Sequence, residues 1–413
     1  MTLPIVPAPA HATELTDHVE LGGDGLSVVA CPRELFVTAQ RFVDDVKLET
    51  GLALSLATAA PGAPAITVAL AGDGLDAVAP AGGVRADGKS GTDGDERHGI
   101  SITTDGLRVW GTTVEGVHRG LTSLRQLIAA GAHDGVATLP TAEIVDGPRF
   151  GWRGLSLDVV RTFHGPETVR RVIDMCSLHK LNVLHLHLSD DQGWRIEVPS
   201  RPELTAIGGA GAMGDRRGGF YSLAELAGLV EYAAARFVTL VPEIDMPGHT
   251  GAIFRAYPEL APMDSAFGEV APGLAIGTLD PQRAETWTFV EDVLDAVVPQ
   301  FPQSAYVHVG GDEAFGMADE AHAAFVERAI GLVRARARLA VGWQEVARAA
   351  IGPNDIAQYW IDSRETGDMM DNEALQAMIP AEMLPLIAES QVSIVANPLI
   401  NITLQGRHDT YPK

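Results

Sequence analysis

The chain has 413 residues, of which 46% are hydrophobic and 20% charged, so it carries enough apolar material for a core in each of two domains. Acidic residues outnumber basic ones 54 to 30, a formal charge of −24, and this argues against nucleic acid or an anionic membrane surface as a partner. Two cysteines, Cys31 and Cys176, make no disulfide framework in a chain of this length.

Residues 1–145 read as a small α+β domain. Strand-like pieces fall at Leu26–Ala30, Ala65–Ala69 and Ile100–Thr103, where β-branched residues stand between turn formers. Helical spacing of apolar residues runs through Glu34–Glu49 and Val114–Ala130. Between them Pro80–Glu96, rich in Gly, Asp and Ala, reads as a flexible surface loop, and Asp146-Gly-Pro-Arg149 reads as a linker. The N-terminus lacks the basic and apolar regions of a secretory signal, and no run of about 18 apolar residues is present to span a bilayer. A soluble cytoplasmic protein is therefore expected, although a mature secreted chain would read the same.

From Trp152 the pattern changes, and residues 150–413 read as a second domain. Short apolar strands at Leu155–Val159, Val183–Leu188, Val238–Ile244, Ala305–Val309, Leu339–Trp343 and Ile356–Trp360 alternate with longer helices. Pro166 near one helix start, the capping box Ser222-Leu-Ala-Glu225, and Asp280-Pro281 as N-cap and N1 proline mark where helices begin. Continuous apolar strands joined by crossover helices imply a parallel sheet covered on both faces, and so many units in a row imply a (β/α)₈ TIM-type barrel.

Each strand ends in polar or aromatic groups. In order they are Asp158 to Arg161, His185 to Arg195, Glu243 to His249, His308 to Glu313, Trp343 to Glu345, and Tyr359-Trp360. Aromatic rings beside carboxylates suit a sugar. Asp312 and Glu313 are adjacent, so they cannot flank a glycosidic bond from opposite faces as the usual carboxylate pair does. One could protonate the leaving oxygen while its neighbour holds part of the substrate.

With these residues in view, the chain resembles glycoside hydrolase family 20, the β-N-acetylhexosaminidases, over roughly residues 100–375. The motifs carrying the resemblance are Trp152-Arg-Gly-Leu-Ser-Leu-Asp158 with Arg161, the His185–Arg195 run, Pro242–Thr250 and His308–Glu313. Val114–Arg125 also resembles that family's N-terminal domain. The resemblance implies retaining, substrate-assisted hydrolysis of terminal β-linked GlcNAc or GalNAc in oligosaccharides or glycoconjugates, with no cofactor or metal. It implies Glu313 as general acid and base and Asp312 as the group orienting the 2-acetamido substituent. Asp190 and His249 would support Glu313, Arg161 would hold sugar hydroxyls, and Trp343 and Trp360 would line the pocket.

Plainer readings stand beside these. Arg161 could simply pair with Asp158, His249 could satisfy a turn carbonyl, and the two tryptophans could be packing. Asp190 and Asp191 are not separable from the sequence. Trp194 and Glu345 read as structural, and Cys176 and His179 as helix packing. The spacing His185-Leu-His187 is also that of imidazole ligands in metal-dependent amidohydrolases, a minor alternative.

The C-terminal end departs from the family pattern. Residues 392–413 are atypical and resemble an internal segment of bacterial cytosine deaminase, which suggests a chimeric or truncated reading frame with its junction between Met378 and Val392. Val392–Ala396 could form a seventh strand; no sequence remains for an eighth. The tyrosine and late tryptophan that the resemblance calls for match no residue here. A C-terminally incomplete barrel is therefore expected, and an inactive carbohydrate-binding remnant is the alternative function. The sequence leaves the oligomeric state open.

Overall fold

The computed structural model describes residues 3–58, 65–262, 269–271, 274–275 and 277–359. These form two compact units. Among the described residues, one comprises those up to Arg85, Lys89–Gly151 and Ser177–Lys180, and the other Ala86–Gly88, Trp152–Cys176 and those from Leu181 onward.

The first unit is a mixed sheet with two helices on it. Its main strand order is His11–Leu21, Val136–Asp146, His98–Thr103, Gly106–Gly111, Ile66–Leu70, Val28–Ala30 and Ser55–Ala57. The first four pair antiparallel and the remainder parallel. Helices Phe36–Thr50 and Val114–Gly131 bury Phe42, Val46, Leu121 and Leu124 in the core they share with the sheet. The expected strands and helices are present with small shifts at their ends.

Two local expectations hold only in part. The segment Pro80–Glu96 is a loop that is exposed over most of its length, but Arg85, Ala86, Asp95 and Glu96 within it are buried. Arg85 donates to Glu96 at 2.5 Å and to Glu115 at 2.8 Å, and Arg119 donates to the same two carboxylates at 2.8 and 2.9 Å. Buried charges persist only when paired in this way, and the pairing ties the segment inward. Asp146, read as linker, ends a strand and holds the buried Lys180 ammonium at 2.9 Å.

In the second unit the expected α/β architecture is present. Strands β1 (Gly154–Asp158), β2 (Val183–His187), β3 (Thr239–Met246), β4 (Tyr306–Gly310), β5 (Leu339–Trp343) and β6 (Ile356–Gln358) pair in parallel. Their spatial order equals their chain order, from β1 at one edge to β6 at the other. An open doubly wound sheet reverses its order at a switch point; an unbroken order is that of a barrel. The described residues thus form six strands of an incomplete (β/α)₈ barrel.

Helices α1 (Pro166–Leu178), α2 (Leu223–Ala234), α3 (Ala284–Gln300) and α4 (Asp319–Ala335) fall in the crossovers. The capping box at Ser222 is complete, with Glu225 N–H donating to the serine hydroxyl and the Glu225 carboxylate accepting from Ser222 N–H. The Asp280-Pro281 start is displaced. The Asp280 carboxylate accepts from Gln282 N–H at 2.8 Å in a turn, and α3 begins at Ala284. Among the described residues no helix is long and apolar enough to cross a membrane.

The period of two along each strand sorts side chains between the two faces. Leu184, Leu186, Leu240, Val307, Val309 and Ala340 join the large core that includes helix residues such as Ile173, Leu229, Val293 and Ile330. The alternate positions Val183, Val241, Tyr306 and Val341 form a separate small cluster inside the barrel. Two residues further along come His185, Glu243, His308 and Trp343, all buried. The interior therefore changes from apolar to ionisable within one repeat, toward the strand ends where barrel chemistry is built.

Candidate active site

The site begins at the turn after β1. Asp158 Oδ1 accepts from the backbone N–H groups of Val160 and Arg161 at 2.8 and 2.9 Å, and this turn presents the Arg161 side chain. Arg161 Nη1 lies 3.2 Å from Asp158 Oδ2, and Nη2 lies 2.5 Å from Asp190 Oδ2. The Nε–H of Arg161 has no acceptor among the described residues. The pairing with Asp158 and a position in the site are both real.

Asp190 and Asp191 separate clearly. Asp191 accepts from Gly251 N–H at 2.9 Å, at the start of the short helix Gly251–Ala256, so it braces a loop. Asp190 instead faces Arg161, His187 Nε2 at 2.8 Å and His249 Nδ1 at 3.2 Å. Burial alone would raise the Asp190 carboxyl, but Arg161 and His249 outweigh it and hold the group well below the usual carboxylate range.

His249 does not serve a turn carbonyl. Its Nε2 lies 3.4 Å from Glu313 Oε2 and 3.6 Å from Asp312 Oδ2. Burial would lower its pKa, but the carboxylates of Asp190, Asp312 and Asp245 raise it well above the ordinary value. His249 and Glu313 both take left-handed backbone conformations, with φ of 53° and 45°. Non-glycine residues rarely do so, and such positions concentrate where geometry serves function.

The glycines before Asp312 have a steric cause. Gly310 has φ of 70°, and a Cβ there would run into the Asp245 carboxylate. Gly248 lets the loop after β3 approach the backbone of Asp312 and Glu313, which a Cβ would meet at 2.9 and 3.2 Å. These close approaches set His249 against the carboxylate pair.

Asp312 and Glu313 differ in exposure. The Glu313 side chain is 38% exposed and that of Asp312 only 12%. Partial burial pushes the Glu313 carboxyl up, with Asp312 and Asp190 adding to the effect against His249 and Arg161. Oδ1 of Asp312 is buried and has no hydrogen-bond partner among the described residues. An unmatched buried carboxylate oxygen is costly and points to a ligand donor.

Beneath these groups lies a residue the sequence reading did not single out. Glu243 is fully buried, with Oε1 accepting from Trp343 Nε1–H at 2.8 Å and Oε2 at 2.7 Å from His187 Nδ1 and 2.8 Å from His185 Nε2. The signal was available as His-x-His on one strand and Glu-x-Asp on the next, all at inward positions.

Four groups of buried His, Asp and Glu approach closely enough to consider a metal: His185/Glu243/His308, His187/Asp190/Asp245, Asp190/Asp191/His249 and Asp245/His249/Asp312. His308 Nδ1 accepts from Gly310 N–H at 3.0 Å, and His185 and His187 both lie against Glu243, at 2.8 and 2.7 Å. His185 Nε2, His249 Nδ1, Asp245 Oδ1 and Asp312 Oδ1 have no hydrogen-bond partner among the described residues. Trp343 is buried, its ring 4.8 Å from that of His308. Trp194 and Glu345 are buried as well, the former donating to Ile196 O at 2.5 Å. Trp360 and residues 392–413 lie outside the described residues.

Comparison with known proteins follows the same division of the chain. The profile of glycosyl hydrolase family 20, catalytic domain, matches residues 150–383, and that of domain 2 of the same family matches residues 2–147. A β-N-acetylhexosaminidase of Cellulomonas fimi is 38% identical over 269 residues, covering 65% of this chain and 54% of that protein. A β-hexosaminidase of Porphyromonas gingivalis is 29% identical over 386 residues, covering 86% of this chain and 47% of that protein. The chain thus spans about half the length of these curated relatives.

Among solved structures, the N-acetyl-β-hexosaminidase of Streptomyces plicatus in complex with Thio-NAglucal aligns with a TM-score of 0.77 at 30% identity, covering 91% of this chain and 71% of that one. The β-N-acetylhexosaminidase of Streptomyces coelicolor A3(2) aligns at 0.80 with 29% identity, covering 96% and 76%. The resemblance of residues 392–413 to a cytosine deaminase segment finds no support, and the catalytic-domain match ends before it. With that match alone spanning more than half of its residues, the chain belongs to glycosyl hydrolase family 20.

Proposed function

We propose that the chain is a retaining exo-β-N-acetylhexosaminidase acting on terminal β-linked GlcNAc or GalNAc of oligosaccharides and glycoconjugates. The observation that carries this reading is the buried, unmatched Oδ1 of Asp312 beside the more exposed Glu313. The family relatives named above carry this activity in their names, and a Streptomyces plicatus mutant is solved with GlcNAc as product.

In the first step Glu313 gives its proton to the glycosidic oxygen as the bond to the anomeric carbon breaks. The acetamido carbonyl oxygen of the substrate attacks that carbon and closes an oxazolinium ring. Asp312 accepts from the acetamido N–H and balances the charge that develops there. Glu313, now a carboxylate, then takes a proton from water, which opens the ring from the face the leaving group left. Two inversions give retention, and one protein carboxyl serves as both acid and base.

Partial burial raises the pKa of Glu313, the direction a general acid needs. Asp190 and His249 hold it in place. The Nε–H of Arg161 has no acceptor among the described residues, and the guanidinium would offer it to a sugar hydroxyl. Trp343 and Trp360 would close the pocket around the acetamido group and the ring.

The test is a thermal melt with and without a GlcNAc-thiazoline mimic of the oxazolinium ring. A ligand that binds the folded state raises the midpoint by mass action. An upward shift that disappears in Asp312→Ala supports the reading. A cooperative melt that the mimic leaves unmoved speaks for the inactive remnant.

A further inference from the structure

Glu243 lies too deep in the barrel to touch a sugar at the strand ends, yet both of its oxygens are engaged with groups that face the site. Oε1 accepts from the Trp343 indole at 2.8 Å, and Oε2 lies 2.7 Å from His187 Nδ1. His187 Nε2 in turn lies 2.8 Å from Asp190 Oδ2 and 3.1 Å from Arg161 Nη1. Asp190 Oδ1 is 3.2 Å from His249 Nδ1, and His249 Nε2 is 3.4 Å from Glu313. From Trp343 to Glu313 the contacts are continuous.

We propose that Glu243 and His187 are positioning residues, a buried pair that sets the pocket wall through Trp343 and the acid–base group through Asp190 and His249. The proposal rests on the hexosaminidase reading for its kinetic tests and on the contacts alone for its spectroscopic one.

The chemistry of the donors makes the arrangement directional. A carboxylate only accepts, so Glu243 requires a proton on His187 Nδ1 as well as on the Trp343 indole. His187 is thereby locked in one ring orientation with Nε2 toward Asp190. His187 above all holds the Glu243 carboxyl well below the usual carboxylate range despite its burial. His187 stays charged because Glu243 and Asp190 outweigh burial and the nearby Arg161. Negative and positive groups then alternate through Glu243, His187, Asp190 and His249 up to Glu313.

Other ionisable groups face the two ends of this path. His187 is also approached by Asp245 and His308, and Glu313 by Asp312, Asp190 and Arg161. Of these His308 also lies against the Trp343 ring, at 4.8 Å between centroids, whereas Glu243 is hydrogen-bonded to the indole and lies 2.7 Å from His187 Nδ1.

The experiment uses two near-isosteric variants of the full chain with an aryl β-GlcNAc substrate. Glu243→Gln offers one acceptor and one donor where two acceptors are needed, so the indole or the imidazole must let go. His187→Asn keeps a donor toward Glu243 but has nothing in the place of Nε2. Both should retain a cooperative melt and lose about tenfold or more in kcat/KM. In His187→Asn the alkaline limb of the pH profile should move to higher pH, because a positive charge beside Asp190 is lost and the Glu313 carboxylate becomes harder to form. A purely structural role would lower the folded fraction and leave that limb in place. Folded variants with wild-type kinetics and an unmoved limb overturn the proposal.

The Trp343 indole N–H resonance gives a readout independent of turnover. It should move in Glu243→Gln and stay in place in His187→Asn. A wild-type chain without turnover defeats the hexosaminidase reading, and the indole signal then decides the proposal. If Glu243→Gln does not fold, the alkaline limb of His187→Asn decides it. An indole signal unmoved in Glu243→Gln overturns it.

Discussion

The imidazole of His249 stands between two carboxyl groups, 3.2 Å from Asp190 Oδ1 and 3.4 Å from Glu313 Oε2. The first group is fully buried and ionised; the second is partly open to solvent and easier to keep protonated. One residue with two nitrogens thus links a carboxyl of lowered pKa to one of raised pKa, an arrangement that would suit the acid–base role proposed for Glu313.

Replacing that donor is the simplest check. Glu313→Gln keeps the shape and removes the proton, and the side chain is exposed enough for the fold to tolerate it. Expected is a loss in kcat/KM of about 10² to 10⁴ with an unchanged melting temperature. Steady-state kinetics beside a thermal melt measures both, and full activity would remove Glu313 from its proposed role.

Arg161→Lys probes the guanidinium. Lysine keeps the charge but cannot reach Asp158, Asp190 and a sugar hydroxyl together. Losing one charge-assisted hydrogen bond of about 2 kcal/mol corresponds to roughly thirtyfold in kcat/KM, expressed mainly in KM. A change confined to stability would assign Arg161 to the structural pairing alone.

Gly310→Ala should damage stability and activity together. The backbone there has φ of 70°, and the added Cβ meets the Asp245 carboxylate. A strained backbone position costs about 1–3 kcal/mol, and the displaced segment leads directly into Asp312 and Glu313. A melt lowered by several degrees with reduced turnover is expected; an unchanged enzyme would contradict the packing described around Asp245.

Acid should weaken the first unit through His98. Burial, with Lys180 nearby, holds its folded pKa at about 4 against the ordinary 6.5. Between those values the unfolded chain binds a proton that the folded chain does not. The contribution of His98 to stability is therefore complete above pH 6.5 and declines as pH falls toward 4. His308, held at about 3, acts in the same direction. His187 and His249 act oppositely, since their raised values favour the folded state most below pH 6.5. In melts taken between about pH 7 and about pH 4.5, His98→Gln should flatten part of the acid slope of wild type. Identical slopes would contradict this assignment.

Much of this architecture was legible because it is written in local patterns. The barrel strands are short apolar runs, and α2 begins at its capping box. The strand His11–Leu21 carried no such pattern. Nearly all of its side chains are exposed, and its order comes from backbone pairing with Val136–Asp146, a contact far away in sequence. Pro80–Glu96 was legible as a loop from its glycines and aspartates, but not its anchoring, because Arg85 and Glu96 find partners on a helix that composition cannot reveal. In the site, Arg161, Asp190, His249, Asp312 and Glu313 were legible as strand-end residues and come together in space. Glu243 was legible as a strand-end residue but given no role, because its contacts depend on strands meeting in register, which no single segment displays.

The most direct test of the central claim varies the substrate rather than the protein. In aryl β-glycosides of glucosamine, the N-acetyl group is replaced by mono-, di- and trifluoroacetyl in turn, which progressively weakens the carbonyl oxygen as a nucleophile. If that oxygen attacks the anomeric carbon while Asp312 holds the N–H, kcat/KM falls steeply along the series. A flat dependence on fluorine content would place the nucleophile elsewhere and contradict the account.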